Sequence, residues 1–224
     1  MATNERKTSE AGAQPGADTD ADRQTDRHQQ PGTLDACRRC DLWRNATQGV
    51  PGAGPRHAPI MMVGEQPGDQ EDLQGKPFVG PAGHLLDTAL AEAGVTRTDV
   101  YITNAVKHFK WEPRGKRRMH KTPGQREIEA CRYWLDRELE SVGPGVIIAL
   151  GATALKAVLQ DRHARLQDHL GETVEHGNRL VVATWHPSYA LRAPDQETRD
   201  RAYADIVATL KHAGELAHGR LKKH

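Results

Sequence analysis

The sequence has no apolar run long enough to cross a membrane. The longest, residues 146–152, is the length of a buried strand, against the ~18 residues that a spanning helix requires. An integral membrane protein is thereby excluded. Residues 1–30 lack the apolar centre of a secretory signal, which points to a cytoplasmic protein without export. An even set of cysteines is missing as well: there are three, which argues against a disulfide framework and leaves metal ligation or inert burial. Internal repeats are absent, and the formal net charge is only +1.

What is present fits one folded domain. The 224 residues match a prior of roughly one domain per 100–200. Hydrophobic residues make up 37%, and the 21 glycines bring the apolar set to about 46%, the usual level for a globular chain. The small net charge conceals an uneven distribution. Residues 1–30 hold six acids against four bases, whereas residues 107–126 hold eight bases against the single acid Glu112, together with Phe109 and Trp111. A segment at +7 in a nearly neutral chain points to a polyanionic partner, the competing reading being a solvated basic loop.

Along the chain, residues 1–32 are polar and small, unable to bury enough surface to offset the entropy of ordering, and read as a disordered leader. A domain over 33–214 and a basic tail over 215–224 follow. Within the domain, short β-rich apolar runs at 59–63, 100–106, 146–150 and 180–184 alternate with helical patterns at 82–93, 122–139, 153–159 and 195–213. This alternation predicts a three-layer α/β/α fold around a central, mostly parallel four-stranded sheet. Ligands in such sheets sit beyond the carboxyl ends of the strands. That rule selects three segments: 64–83, 107–121 and 185–189.

The first of them holds Gly64-Glu65-Gln66-Pro67-Gly68-Asp69 and then Phe78-Val79-Gly80-Pro81-Ala82-Gly83, whose glycines allow a close backbone approach and whose Phe78 offers a flat face. Thr103-Asn104-Ala105-Val106-Lys107 closes the second strand, with Asn104 also a plausible turn former. The fourth ends in His186-Pro187-Ser188, where proline restricts the chain just after the imidazole.

These four motifs, in this order, resemble the uracil-DNA glycosylase superfamily, in particular its iron–sulfur branch. The insert Gly115-Lys116-Arg117-Arg118-Met119-His120 looks like the Lys-Arg-Arg-Ile-His loop of the X-type (UdgX-like) members, with Met119 in place of Ile. The resemblance spans about residues 35–210.

Cys37 and Cys40 have Cys-x-x-Cys spacing, and with Cys131 they leave a four-ligand site one short. The related fourth family binds a [4Fe–4S] cluster through four cysteines, one of which corresponds here to His108. The resemblance therefore implies Cys37, Cys40, His108 and Cys131 as ligands of such a cluster, zinc being the alternative.

It also implies the chemistry. A uracil nucleotide leaves the stack, Phe78 lies against the base, and Asn104 meets its polar edge. His186 donates towards O2 and stabilises the departing anion, with Gly64 and its neighbours contributing backbone N–H groups. Gln66 occupies a catalytic position, yet an amide cannot accept a proton as a carboxylate can. His120 becomes the nucleophile towards C1′, and Glu65 orients its ring and accepts the displaced proton. The expected product is protein bonded to an abasic site. Lys107, Lys116, Arg117, Arg118 and Lys121 are the expected phosphate contacts, Arg118 also a lock for the loop. Asp69 and Asp72 serve as pocket or loop anchors, or simply as acids at a helix start. The partner is uracil-containing DNA, single strands accepted, and a monomer is the default. Two rivals stay open: a turnover hydrolase using water, and a metal-stabilised nucleic-acid-binding module without chemistry.

Overall fold

The computed structural model describes residues 30–221. Most of the expected leader, 1–29, and residues 222–224 lie outside the described residues. In chain order the elements are β1 (Ile60–Gly64), α1 (Asp69–Gln74), α2 (Pro81–Glu92), β2 (Val100–Asn104), β3 (Trp111–Arg114), β4 (Arg117–His120), α3 (Gln125–Val142), β5 (Val146–Leu150), α4 (Ala152–Leu159), β6 (Thr173–His176), β7 (Arg179–Thr184), α5 (Pro187–Leu191) and α6 (Gln196–Leu221).

Side chains alternate across a strand, and that period organises the whole core. Met61, Val63, Ile147, Ala149, Val181 and Ala183 face one layer, built by α3 and α4. Their neighbours Ile60, Met62, Val146, Ile148, Leu150 and Val182 face the opposite layer, built by α2, α5 and α6. β1 and β5 are buried along their full length. Continuous apolar runs are what a sheet covered on both faces demands. Each buried Val, Leu, Ile or Met among them contributes roughly 1.5–3 kcal/mol through burial.

The sheet runs β2-β1-β5-β7-β6, with the first four strands parallel and β6 antiparallel to β7. The four expected strands are all present, and β6 corrects the count to five. Its sequence Thr-Val-Glu-His alternates exposed and half-buried positions with none fully buried, so no buried-strand pattern marks this edge. Helix α6 continues to Leu221 and takes in most of the segment expected as a tail, because Leu210, Ala213 and Ala217 extend its apolar stripe over the sheet. The segments expected as loops also hold structure: α1 lies within 64–83, α5 follows the fourth strand end, and β3 and β4 form a hairpin within 107–121. Among the described residues, no helix is long and apolar enough to cross a membrane.

Candidate active site

β1, β2, β5 and β7 end together at Gly64, Asn104, Leu150 and Thr184. Over that edge opens a cavity of about 540 Å³, lined among others by Glu65, Phe78, Asn104, His120, Thr153 and His186. The three segments selected from sequence thus meet at one place.

Gly64 pairs with Asn104 across β1 and β2. A Cβ at Gly64 would lie 2.4 Å from Asn104 Oδ1 and 2.7 Å from the Phe78 ring, so only glycine leaves both side chains where they are. Asn104 is buried, and its Oδ1 has no hydrogen-bond partner among the described residues. A buried acceptor without a partner is costly, and at a cavity wall it is a ready ligand contact. Phe78 is held at φ 54°, a conformation a bulky residue adopts only under constraint. The constraint comes from Glu71, which accepts the Gly68 N–H at 3.1 Å and the Gly80 N–H at 2.8 Å and so closes the loop that carries Phe78.

His186 caps α5. Its Nδ1 accepts the Ser188 N–H at 3.2 Å and lies 2.8 Å from Ser188 Oγ, to which Arg192 donates at 3.0 Å. An Nδ1 that accepts leaves the proton on Nε2. Burial pushes the His186 pKa down to about 4, against an upward pull from the Glu65 carboxylate. The ring is therefore neutral at physiological pH, with one N–H to donate, and lies 5.9 Å from the Phe78 ring centre to centre.

His120 ends β4, opposite Trp111 in the hairpin. The turn between Arg114 and Arg117 is made by Gly115, at φ 60°, and Lys116. His120 Nε2 lies 3.2 Å from Glu65 Oε1, and Thr153 Oγ1 donates to Glu65 Oε2 at 2.6 Å. Burial raises the Glu65 pKa. The hydrogen bonds from His120 and Thr153, with the electrostatic influence of the two nearby imidazoles, more than reverse this, leaving it below the ordinary carboxylate value.

Gln66, expected among the catalytic groups, is a brace. Its Nε2 donates to the Lys110 and Lys121 carbonyls, both at 3.1 Å, and its Oε1 accepts the Lys110 N–H at 3.0 Å. It pins both roots of the hairpin to the end of β1. Arg118 donates to Asp69 and Asp72, each at 2.6 Å, and stacks near Phe109 and Trp111. Asp69 and the fully buried Asp72 are hairpin anchors, and Arg118 locks the loop instead of presenting its charge outward.

Lys107, expected on phosphate, is corrected outright. It is 0% exposed, and its Nζ donates to Glu138 and Thr103 at 2.6 Å and to the Asn104 carbonyl at 2.7 Å. Lys116 and Arg117 are exposed at the hairpin tip, and Lys121 pairs with Glu112 at 3.0 Å.

Cys131 is carried by α3, and Cys37 and Cys40 pack beside it. Cys131 hydrogen-bonds Cys40, holding the Cys40 thiol below its ordinary pKa. The Lys107 N–H donates to Cys131 Sγ at 3.4 Å, and Trp134 Nε1 donates to Cys37 Sγ at 3.2 Å. His108 is buried, and a Cβ on Gly49 would come within 3.2 Å of its Nε2. Among the described residues, no three His, Cys, Asp or Glu side chains form a group able to hold a metal ion. The chemistry of the corner still suits a thiolate-held group: three sheltered thiols, two of whose sulfurs already receive N–H donors.

Thr153, Arg192 and Glu71 belong to none of the motifs read from sequence, and Ser188 enters there only as the end of the His186-Pro187-Ser188 motif. Thr153 follows Gly151 as an ordinary helix opener, and nothing local shows that its hydroxyl meets Glu65.

A family model for the uracil DNA glycosylase superfamily matches residues 51–211, and the chain belongs to that superfamily. A type-4 uracil-DNA glycosylase of Thermotoga maritima is 40% identical over 171 residues, covering 76% of this chain and 85% of the relative. One from Archaeoglobus fulgidus is 38% identical over 188 residues, with 81% and 88% covered. A type-5 uracil-DNA glycosylase of Pyrobaculum aerophilum shares 33% over 172 residues, with 70% and 73% covered. The type-4 relatives support a place beside the fourth family, while the X-type resemblance rests on the 115–120 insert.

Proposed function

We propose that this chain excises uracil from DNA and keeps the resulting abasic site bonded to His120. The observation that carries the reading is the Nε2–Oε1 contact of 3.2 Å between His120 and Glu65, in the same cavity as the unpartnered Asn104 Oδ1. Uracil enters against Phe78. Asn104 Oδ1 accepts from N3–H, where cytosine has no proton to give. His186 Nε2–H donates to O2, and its value grows as negative charge develops there in the transition state.

The lone pair of the neutral His120 imidazole forms the bond to C1′ as the C1′–N1 bond breaks, and that electron pair leaves on uracil. The alkylated ring then carries the positive charge, and Glu65 accepts its remaining N–H proton. An alkylimidazole is a poor leaving group, so water does not readily free the sugar. Gln66, with its amide committed to Lys110 and Lys121, activates no water. Lys116 and Arg117 contact phosphates from the hairpin tip, giving affinity without sequence reading.

Cys37, Cys40 and Cys131, with His108, are read as the holders of a [4Fe–4S] cluster, in keeping with the sheltered thiols and their N–H donors. When bound, it supplies a structural cross-link between the segment around Cys37 and α3.

The test is a denaturing gel after incubation with uracil-containing single-stranded DNA. Wild type gives a retarded, heat-stable band and one uracil per protein, and His120→Ser gives no such band. Uracil released over many turnovers without the band overturns the covalent step and leaves a water-using glycosylase. A base that stays attached overturns catalysis and leaves a binding module.

A further inference from the structure

Resting on the covalent reading above, we propose that Thr153 is a positioning residue for the attack by His120: its hydroxyl fixes the Glu65 carboxylate so that the opposite oxygen meets the imidazole. Each oxygen of Glu65 has its own partner. Oε2 takes the Thr153 hydroxyl at 2.6 Å, and Oε1 faces His120 Nε2 at 3.2 Å. The first is the shorter bond, of the length expected for a hydroxyl on a carboxylate.

The two partners also differ in what holds them. Thr153 stands in the first turn of α4, next to Ala154 and Leu155, which are wholly buried against the sheet, and the Gly151 N–H just before the helix donates to Thr184 at 2.8 Å. Branching at Cβ further restricts the rotamers of Thr153. His120 rides on a two-stranded hairpin and its side chain is 48% exposed. Glu65, whose side chain is 22% exposed, has three torsions and would otherwise follow the hairpin. The hydroxyl makes the rigid layer of α4, and not the hairpin, the reference for the reacting geometry.

The groups that face Glu65 are Thr153 from α4, His120 from β4 and His186 from the cap of α5, with Arg192 in turn acting on His186. The Thr153 hydrogen bond is among the contacts that favour the carboxylate. Its removal moves the Glu65 pKa upward, so the acid limb of the reaction moves to higher pH.

The experiment follows uracil release and adduct formation in single turnover, on uracil-containing single-stranded DNA, across the acid range. Thr153→Val keeps the shape without the hydroxyl, Thr153→Ala omits both, and Thr153→Ser keeps the hydroxyl. Loss of a hydrogen bond to a charged group predicts adduct formation slowed about tenfold or more in Thr153→Val and Thr153→Ala, with the acid limb raised. Thr153→Ser restores the wild-type profile to within about twofold, as a retained hydroxyl requires. Wild-type rates and limb in both hydroxyl-free variants overturn the proposal. So does a loss in Thr153→Val that Thr153→Ala does not share, or a loss that Thr153→Ser does not rescue. Wild type that releases uracil without any adduct overturns the covalent reading itself, an outcome read without the variants.

Discussion

At the scale of single residues, the proposed base pocket leaves no spare volume beside Gly64. Asn104 and Phe78 both lie where its missing Cβ would be, and they are the groups read here as meeting the edge and the plane of uracil. Gly64→Ala must displace one of them. The expected outcome is uracil release slowed at least tenfold, with overpacking costing about 1–3 kcal/mol of stability. Single-turnover release and urea denaturation measure the two quantities separately. A normal release rate would show that Asn104 and Phe78 can yield without consequence. Much of this pocket was legible in the sequence: Glu65, Asn104 and His186 lie at the ends of short apolar runs that read as buried strands, Phe78 lies in the Gly/Pro segment after the first, and the strands bring their ends together. What was not legible is the set of groups that hold these residues. Ser188 selecting the His186 tautomer and Thr153 meeting Glu65 depend on where α5 and α4 start relative to the sheet, which no local pattern encodes.

At the scale of elements, the deciding piece is the β3–β4 hairpin. Its residues are exposed on nearly every position, Pro113 sits in one strand and bases crowd the other, so the period-two signal of a strand is missing. The sequence reads as a basic loop for that reason. Tertiary contacts supply the order instead: Trp111 Nε1 donates to the Asn45 carbonyl, Arg118 reaches Asp69 and Asp72, and Gln66 joins Lys110 to Lys121. Gln66→Leu preserves volume and deletes three hydrogen bonds at the roots. Leaving sheltered backbone groups unpaired costs about 1–3 kcal/mol each where they stay dry. The hairpin should loosen well before the sheet melts, with faster tryptic cleavage at Arg114, Lys116 and Arg117. Adduct yield should fall in step, because His120 leaves Glu65. Unchanged cleavage alongside lost adduct would instead assign Gln66 a direct role in the chemistry.

At the scale of the molecule, one buried cation links three parts of the fold. Lys107 binds the Asn104 carbonyl, pairs with Glu138 of α3, and places its own N–H on Cys131. Glu138 in turn accepts the Gly52 N–H at 2.9 Å. The turn that presents the Asn104 amide, proposed to read the base, is therefore tied to the helix that carries a cysteine of the proposed cluster. A group cross-linking Cys37, Cys40 and Cys131 would stiffen α3, and through Lys107 that stiffness reaches Asn104. Protein purified without exposure to oxidant should be brown and hold about four iron atoms per chain. Cys131→Ser should lose colour and iron, melt at a lower temperature, and bind uracil-containing DNA more weakly even where its circular dichroism stays that of a folded α/β chain. Iron analysis, thermal melting and a binding titration on the same samples check each part. A colourless wild type, metal-free and melting together with Cys131→Ser, would make the cysteines ordinary core residues and leave the Lys107–Glu138 pair alone to hold the turn.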